Sequence, residues 1–347
     1  MADTAIAYSD SGAGKTSICV SIAKWVYELY GLTTRLISVE GWEPVANEGL
    51  IQAGIVSAFN VSSQPSLLSA MRKLSRGYWP KIQEEEVPTL DGNGIVIGST
   101  KKKVRRIVED KNELAKVGLY FVETADGIAD AFMRHIIKEE TIEEDDRGKL
   151  RVKSIGPQGS SGRYEEDGEV FGGNSEGHYN IVQVEMHNLF TAFSGLGGNV
   201  KLVFWTSHVG TGKTKRTGET CFCPLLVGEA KNALVPSWVG ECFHLEDIPL
   251  VMDENGQVIQ QKQVRAFYEN HRENGIMEGP QYRCKSRVGP SDIDALHEQF
   301  PGGFINLGVG KGEGLDQYYR WLQKRKGESA SEMKKWKEEI DASRRTA

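Results

Sequence analysis

Apolar and polar positions along this chain fall into blocks that repeat one order: a short apolar run, a polar turn, then a longer segment of helical period. Ala5 to Tyr8 is the first apolar run, and an amphipathic segment from Ser17 to Tyr30 follows it. Arg35 to Val39 and Ile55 to Val61 read as the next strands, and Gln64 to Arg76 as a helix with Leu67, Leu68, Met71 and Leu74 on one face. Val117 to Thr124 is apolar enough for the centre of a parallel sheet, and a helix is predicted from Gly127 to Glu140. Tyr179 to Phe193 returns to helical spacing, with Ile181, Val182, Met186, Leu189 and Phe193 as a stripe, before a buried strand from Lys201 to Thr206. Later runs at Cys242 to Leu245 and Val264 to Tyr268 are short, and Asp253-Glu254-Asn255-Gly256 reads as a hairpin turn. The expected fold is α/β: a doubly wound, mostly parallel sheet with antiparallel strands added at one edge.

Two stretches break the pattern. Residues from about 78 to 116 carry Glu84-Glu85-Glu86, a turn at Asp91 to Gly94, and the cations Lys101-Lys102-Lys103 with Arg105-Arg106. This basic cluster reads either as a solvated charged face or as a nucleic-acid contact. Residues from about 141 to 178 are dense in Asp, Glu, Gly and Ser, so a loop with at most a hairpin is expected. Both read as insertions in a domain covering 1–308, and 309–347 as an appended tail with a helix from Asp316 to Lys324. With 347 residues, 39% hydrophobic content and seven Trp, the chain can fill a large packed core. A net charge of −6 argues against a uniformly basic coat but leaves room for a local basic groove. The five cysteines are odd in number, and Cys221-Phe222-Cys223 lacks a matching second pair, so zinc is not expected and reduced thiols in a cytoplasm fit best. No eighteen-residue apolar run and no signal-peptide pattern are present, so no membrane partner is expected.

The strongest chemical signal lies near the start, in Ser9-Asp10-Ser11-Gly12-Ala13-Gly14-Lys15-Thr16-Ser17. Strand, small-residue loop, Gly-Lys-Thr and helix follow in the order of a Walker A phosphate loop, with Ser9 where the motif has its first glycine. Backbone N–H groups of such a loop and the helix N-terminus hold a polyphosphate. Lys15 would reach the β- and γ-phosphates, and the Thr16 hydroxyl would hold Mg²⁺. Ser207-His208-Val209-Gly210-Thr211-Gly212-Lys213-Thr214 repeats the spacing, but no helical period follows it. It reads as a flexible cationic loop, with Lys213, Lys215 and Arg216 suited to a nucleic-acid backbone or simply to a surface loop. Glu40 closes the second strand, where a carboxylate can activate an attacking water, with Glu43 its nearest competitor. Glu123 closes the Val117 strand, where an acid would hold the metal, with Asp126 as the alternative. Tyr282 to Arg287 reads as an edge strand bearing three cations.

A phosphate loop, Glu40, Glu123 and Ser207-His208 at four strand ends resemble the RecA-like ATPases. Within that class the chain is similar to phage-encoded nucleotide-binding proteins found beside single-strand annealing systems. The residues carrying this are Trp205-Thr206-Ser207-His208, Pro224 to Gly228 with Val235-Pro236, Phe243-His244-Leu245, and Lys285-Ser286-Arg287. The resemblance implies ATP and Mg²⁺ as cofactors, Glu40 as the catalytic carboxylate, and Ser207-His208 as the γ-phosphate sensor. It also implies that Val209 to Pro224 contacts single-stranded DNA, and that Lys285 and Arg287 act in trans within a homo-oligomeric ring or filament. An alternative of another class is a virion or assembly protein that keeps the nucleotide fold as a structural module, for which the two insertions and the tail supply added surface.

Overall fold

Among the described residues the principal apolar runs become strands, and the principal amphipathic segments helices laid on the faces of the sheet; of Val264 to Tyr268, residues 266–268 lie outside the described residues. The computed structural model describes residues 2–10, 14–39, 47–62, 64, 66–90, 96–140, 142–144, 150–152, 163–166, 169–172, 176–213, 218, 220–226, 232–246, 251–260, 263–265, 281–282, 284–286, 292–301, 304–307 and 314–327. The chain begins β1 (Asp3–Ser9), α1 (Lys15–Tyr30), β2 (Thr33–Ser38), α2 (Glu48–Gln52), β3 (Val56–Asn60) and α3 (Leu67–Leu74). A long antiparallel pair, β4 (Trp79–Leu90) and β5 (Val96–Val108), and the short α4 (Lys111–Leu114) precede β6 (Val117–Glu123) and α5 (Ala125–Glu140). Two small antiparallel pairs come next, β7 (Ile142–Glu144) with β8 (Leu150–Val152) and β9 (Arg163–Glu166) with β10 (Glu169–Gly172). They lead to α6 (Glu176–Ser194), β11 (Leu202–Lys213), β12 (Thr220–Pro224), α7 (Val235–Trp238) and β13 (Glu241–Glu246). The remaining elements are β14 (Val251–Met252), β15 (Val258–Gln260), β16 (Gln263–Arg265), β17 (Gln281–Tyr282), α8 (Ile293–Gln299), β18 (Phe304–Asn306) and a last helix, α9, over 316–327.

The main sheet has the order β18-β16-β13-β1-β11-β6-β2-β3, with β12 pairing β11 and β17 pairing β12. From β13 to β3 every neighbour is parallel, whereas β16 and β18 run antiparallel beyond β13. The protein is thus an α/β fold with a mostly parallel sheet and antiparallel strands at its edge. Parallel strands are buried on both faces, and the period of two sorts their side chains between two cores. Ile6, Tyr8, Tyr120, Val122, Val203 and Trp205 meet α3, α5 and α6 on one face. Ala5, Ala7, Leu119, Phe121, Leu202 and Phe204 meet α1, α8 and α9 on the other.

Helix α9 is integral to that second layer rather than appended to it. Leu315, Tyr318, Tyr319 and Leu322 are buried at the i, i+3, i+4, i+7 spacing of a core-facing stripe. Tyr319 stacks on Trp25 with ring centroids 5.1 Å apart. The Tyr318 and Tyr319 hydroxyls donate to the two oxygens of buried Glu241 at 3.1 and 2.8 Å. Burial raises the Tyr319 hydroxyl well above its ordinary pKa, and the Glu241 charge adds to the effect. Residues 328–347 lie outside the described residues.

The first insertion is the β4–β5 pair, and its register explains its charge runs. Glu84, Glu85 and Glu86 stand opposite Lys103, Lys102 and Lys101. Opposite charges at facing positions are favourable cross-strand partners, so the two runs specify one hairpin register. At its root Arg35, from β2, is 3 % exposed and bonds Asp110 at 3.2 Å, the Tyr120 hydroxyl at 2.7 Å and Gly77 O at 3.1 Å. Its guanidinium also lies 4.7 Å from the centroid of the Trp79 ring. Lys81 reaches the other Asp110 oxygen at 2.7 Å. The segment from 141 to 178 holds two small antiparallel pairs among its described residues, where a loop with at most one hairpin was expected.

Removing Asp110 leaves the buried Arg35 charge without its carboxylate. Asp110→Ala is expected to destabilise the protein by about 3–5 kcal/mol, and Asp110→Asn by less, because the amide still accepts a hydrogen bond. Urea titration of both variants against wild type measures the difference.

Candidate nucleotide site

In a parallel sheet all carboxyl ends arrive at one edge, and ligands of open α/β folds bind outside that edge. Ser9 of β1 is in register with His208 of β11, Trp205 of β11 with Val122 of β6, and Ser38 of β2 with Glu123. The strand ends that the sequence singles out therefore lie side by side. Val39 N–H donates to Glu123 O at 3.0 Å, so the end of β2 is fastened beside Glu123. Glu40 and Glu43 themselves lie outside the described residues, as do Ser11, Gly12 and Ala13.

The turn from β1 into α1 follows from its small residues. Gly14 precedes the helix at φ 91°, a left-handed conformation that favours glycine, and Ser17 N–H donates back to Gly14 O at 3.0 Å. Lys15 is buried, and its ammonium donates to Asp10 O at 2.9 Å, Ser9 O at 3.2 Å and Ser9 Oγ at 3.3 Å. The serine that replaces the first glycine of the motif thus helps hold the lysine over the loop. Ser17 is exposed in the first turn of α1.

Thr16 and Glu123 are 107 residues apart in sequence, yet Thr16 Oγ1 donates to Glu123 Oε1 at 2.6 Å. Glu123 is 4 % exposed. Cys19 lies behind it on α1, its thiol raised well above the ordinary pKa by burial and further by the Glu123 charge. A hydroxyl and a carboxylate are hard oxygen donors, the type that Mg²⁺ takes. With the Lys15 ammonium beside them and the α1 N-terminus in front, these residues fit a Mg²⁺-bound polyphosphate.

Asp126 pairs elsewhere. It accepts the His208 backbone N–H at Oδ1, 3.0 Å, and contacts His208 Nδ1 at Oδ2, 2.7 Å. Sequence reading proposed Asp126 only as a substitute for Glu123. Its place in the first turn of α5, facing a histidine 82 residues away, has no local signal.

The second motif copy departs from the expected loop. Ser207 to Lys213 continue β11 as a strand, and Val209 to Lys213 pair antiparallel with Thr220 to Pro224. Gly210 and Gly212 allow this by close approach. A Cβ at Gly212 would lie 2.9 Å from Ala233 N and 3.0 Å from Cys223 Sγ, and one at Gly210 3.0 Å from Leu225 Cα. Here the glycines serve packing and not phosphate binding. Ser207 is fully buried, with its hydroxyl 2.6 Å from Leu225 O and 3.0 Å from His208 O. It fastens the return of the hairpin and does not face solvent. Lys213 is exposed at the far end of β11, while Lys215 and Arg216 lie outside the described residues.

Lys285 is remote from this edge of its own chain. It bridges Cys242, which pairs Ile6 in mid-β1, and its ammonium donates to Val239 O at 2.8 Å and Pro236 O at 3.4 Å. Of the expected three-cation strand, only Gln281–Tyr282 and this isolated bridge are described, and Arg287 lies outside.

No family model matches the chain, and no curated protein does. Among solved structures it is similar to a KaiC-like protein of the hyperthermophilic archaeon Pyrococcus horikoshii OT3. The identity is 10%, the match covers 82% of this chain and 83% of that one, and the TM-score is 0.32. Among the described residues no helix is long and apolar enough to cross a membrane.

The packed state of the β11–β12 hairpin is testable with two glycines. Gly212→Ala forces a Cβ into contacts of 2.9–3.0 Å and is expected to cost about 1–3 kcal/mol of stability. Gly98→Ala, in β5 with nothing within 4 Å of the added atom, is expected to stay within about 0.5 kcal/mol of wild type. Equal chemical denaturation midpoints for the two variants would count against a packed hairpin.

Proposed function

We propose that this protein is a RecA-like ATPase that binds ATP with Mg²⁺ at the edge formed by β1, β11, β6 and β2. The observation that carries this reading is the Thr16–Glu123 hydrogen bond, because it joins the phosphate-loop hydroxyl to the strand-end acid across the sheet. Lys15, now held by Ser9 and Asp10, exchanges these carbonyl partners for β- and γ-phosphate oxygens. Thr16 and Glu123 are the residues that would hold Mg²⁺. When bound, the ion supplies neutralising charge to the phosphates. Glu40, on the segment that continues β2, orients and deprotonates the attacking water. His208, level with Ser9, contacts the γ-phosphate end.

The partner we propose is single-stranded DNA, bound along the β11–β12 hairpin through Lys213, Lys215 and Arg216. Support comes from the cationic sequence beyond β11 and from the exposure of Lys213 at the far end of the hairpin. A homo-oligomer, ring or filament, would place Lys285 and Arg287 of one subunit against its neighbour's phosphates. The finer role, an accessory ATPase of phage-type recombination, rests on the residues from Trp205 to His208 and the segments after them.

Nucleotide binding is checked first, by titrating Mg-ATP into wild type and Lys15→Ala. The variant is expected to bind about 10- to 100-fold more weakly, the loss of charge-assisted hydrogen bonds to phosphate. Equal affinity would sink the site assignment. In a turnover assay with and without single-stranded DNA, Glu40→Gln is expected to bind Mg-ATP normally and to lose hydrolysis. A Lys213, Lys215, Arg216 triple alanine that binds single-stranded DNA as wild type does would overturn the DNA part.

A further inference from the structure

Asp126 lies outside the roles assigned so far, and the geometry of its pairing with His208 is specific. Asp126 stands three residues after Glu123, in the first turn of α5. Its two carboxylate oxygens engage two different groups of one residue: Oδ1 the backbone N–H of His208, Oδ2 the ring Nδ1. His208 is the last β11 residue in register with β1, and Leu225 N–H donates to its carbonyl at 2.8 Å where the hairpin returns. Backbone and ring are thereby clamped together at the edge that holds Ser9 and Lys15. The Asp126 side chain is 13 % exposed and the His208 side chain 30 %.

We propose that Asp126 is a positioning residue that fixes the ring tautomer and orientation of His208 for contact with the phosphate end of a bound nucleotide. An ionised carboxylate only accepts hydrogen bonds, so Nδ1 must carry the proton that it donates to Oδ2. In the neutral ring Nε2 is then the remaining polar atom, an acceptor for a water that itself donates to the phosphate end. Because Oδ1 is held on the backbone of the same residue, Oδ2 is presented to the ring at a fixed place on the strand end. This inference rests on the reading of Ser9 to Thr16 as a nucleotide site.

Asp126→Asn separates positioning from mere fastening. The amide keeps one acceptor, which the backbone N–H of His208 requires, and presents an N–H₂ to Nδ1. Nδ1 must then accept, and the ring proton moves to Nε2. The fold and both contacts survive while the tautomer reverses. The variant is expected to keep the thermal midpoint of wild type and its Mg-ATP affinity, and to lose turnover by about 10²- to 10⁴-fold. In the His208→Ala background the same substitution is expected to add no further loss. Histidine ¹⁵N spectra give a readout apart from activity, with His208 protonated at Nδ1 in wild type and at Nε2 in Asp126→Asn. Unchanged turnover in Asp126→Asn, or a wild-type ring protonated at Nε2 alone, would overturn the proposal. Should wild type bind Mg-ATP and not hydrolyse it, the hydrolytic reading fails, and the spectra still decide the tautomer assignment.

Discussion

A parallel sheet can be buried on both faces only if helices return each strand to the same starting edge, so all carboxyl ends collect at the other. That constraint organises this molecule. Ser9, Ser38, Glu123 and His208 come from four strands separated by long stretches of sequence, and no local interaction brings any two of them together. The two apolar cores do so, one under α3, α5 and α6 and the other under α1, α8 and α9. The polar edge is a consequence of how the apolar faces are satisfied.

At that edge the polar groups hold one another before any ligand arrives. Lys15 is fixed by Ser9 and Asp10, Thr16 by Glu123, and His208 by Asp126. Such mutual fixing lowers the cost of ordering side chains when a charged ligand binds, since rotamer freedom has already been given up in folding. The serine at the first position of the motif takes part in this fixing. The serine hydroxyl takes a place in the lysine's hydrogen-bond set.

The added segments lie outside the parallel strand order from β13 to β3. The β4–β5 pair is rooted through Arg35, Asp110 and Trp79, and its Glu and Lys runs stand at facing positions of the register. Antiparallel strands extend the sheet beyond β13, on the far side of β1 from Glu123. The β11–β12 hairpin is the exception. It grows directly from His208, so the strand that borders the phosphate loop is also the strand that reaches outward.

Much of this was legible in the amino-acid sequence, because the governing signals are local. The 3.6-residue and two-residue periods located the principal helices and strands, and a Gly-Lys-Thr at a strand-to-helix turn marked the phosphate loop. Glu123 was found by the same logic, as an acid closing an apolar run. Three things needed the tertiary structure. The string Ser207 to Thr214 resembles a phosphate loop, yet its glycines serve close packing against Leu225 and residues 232–233, a fact about neighbours in space. The stripe Leu315, Tyr318, Tyr319, Leu322 was present in the sequence but surrounded by charge, and only Trp25, Phe243 and Glu241 show that it belongs to the core. The partners of Thr16 and His208 were also hidden, since hydrogen bonds across 107 and 82 residues leave no periodicity behind. The sequence by itself determined where the principal strands and helices lie, because their periods are local. The tertiary structure decided which acid meets which donor, because that depends on strand order and register.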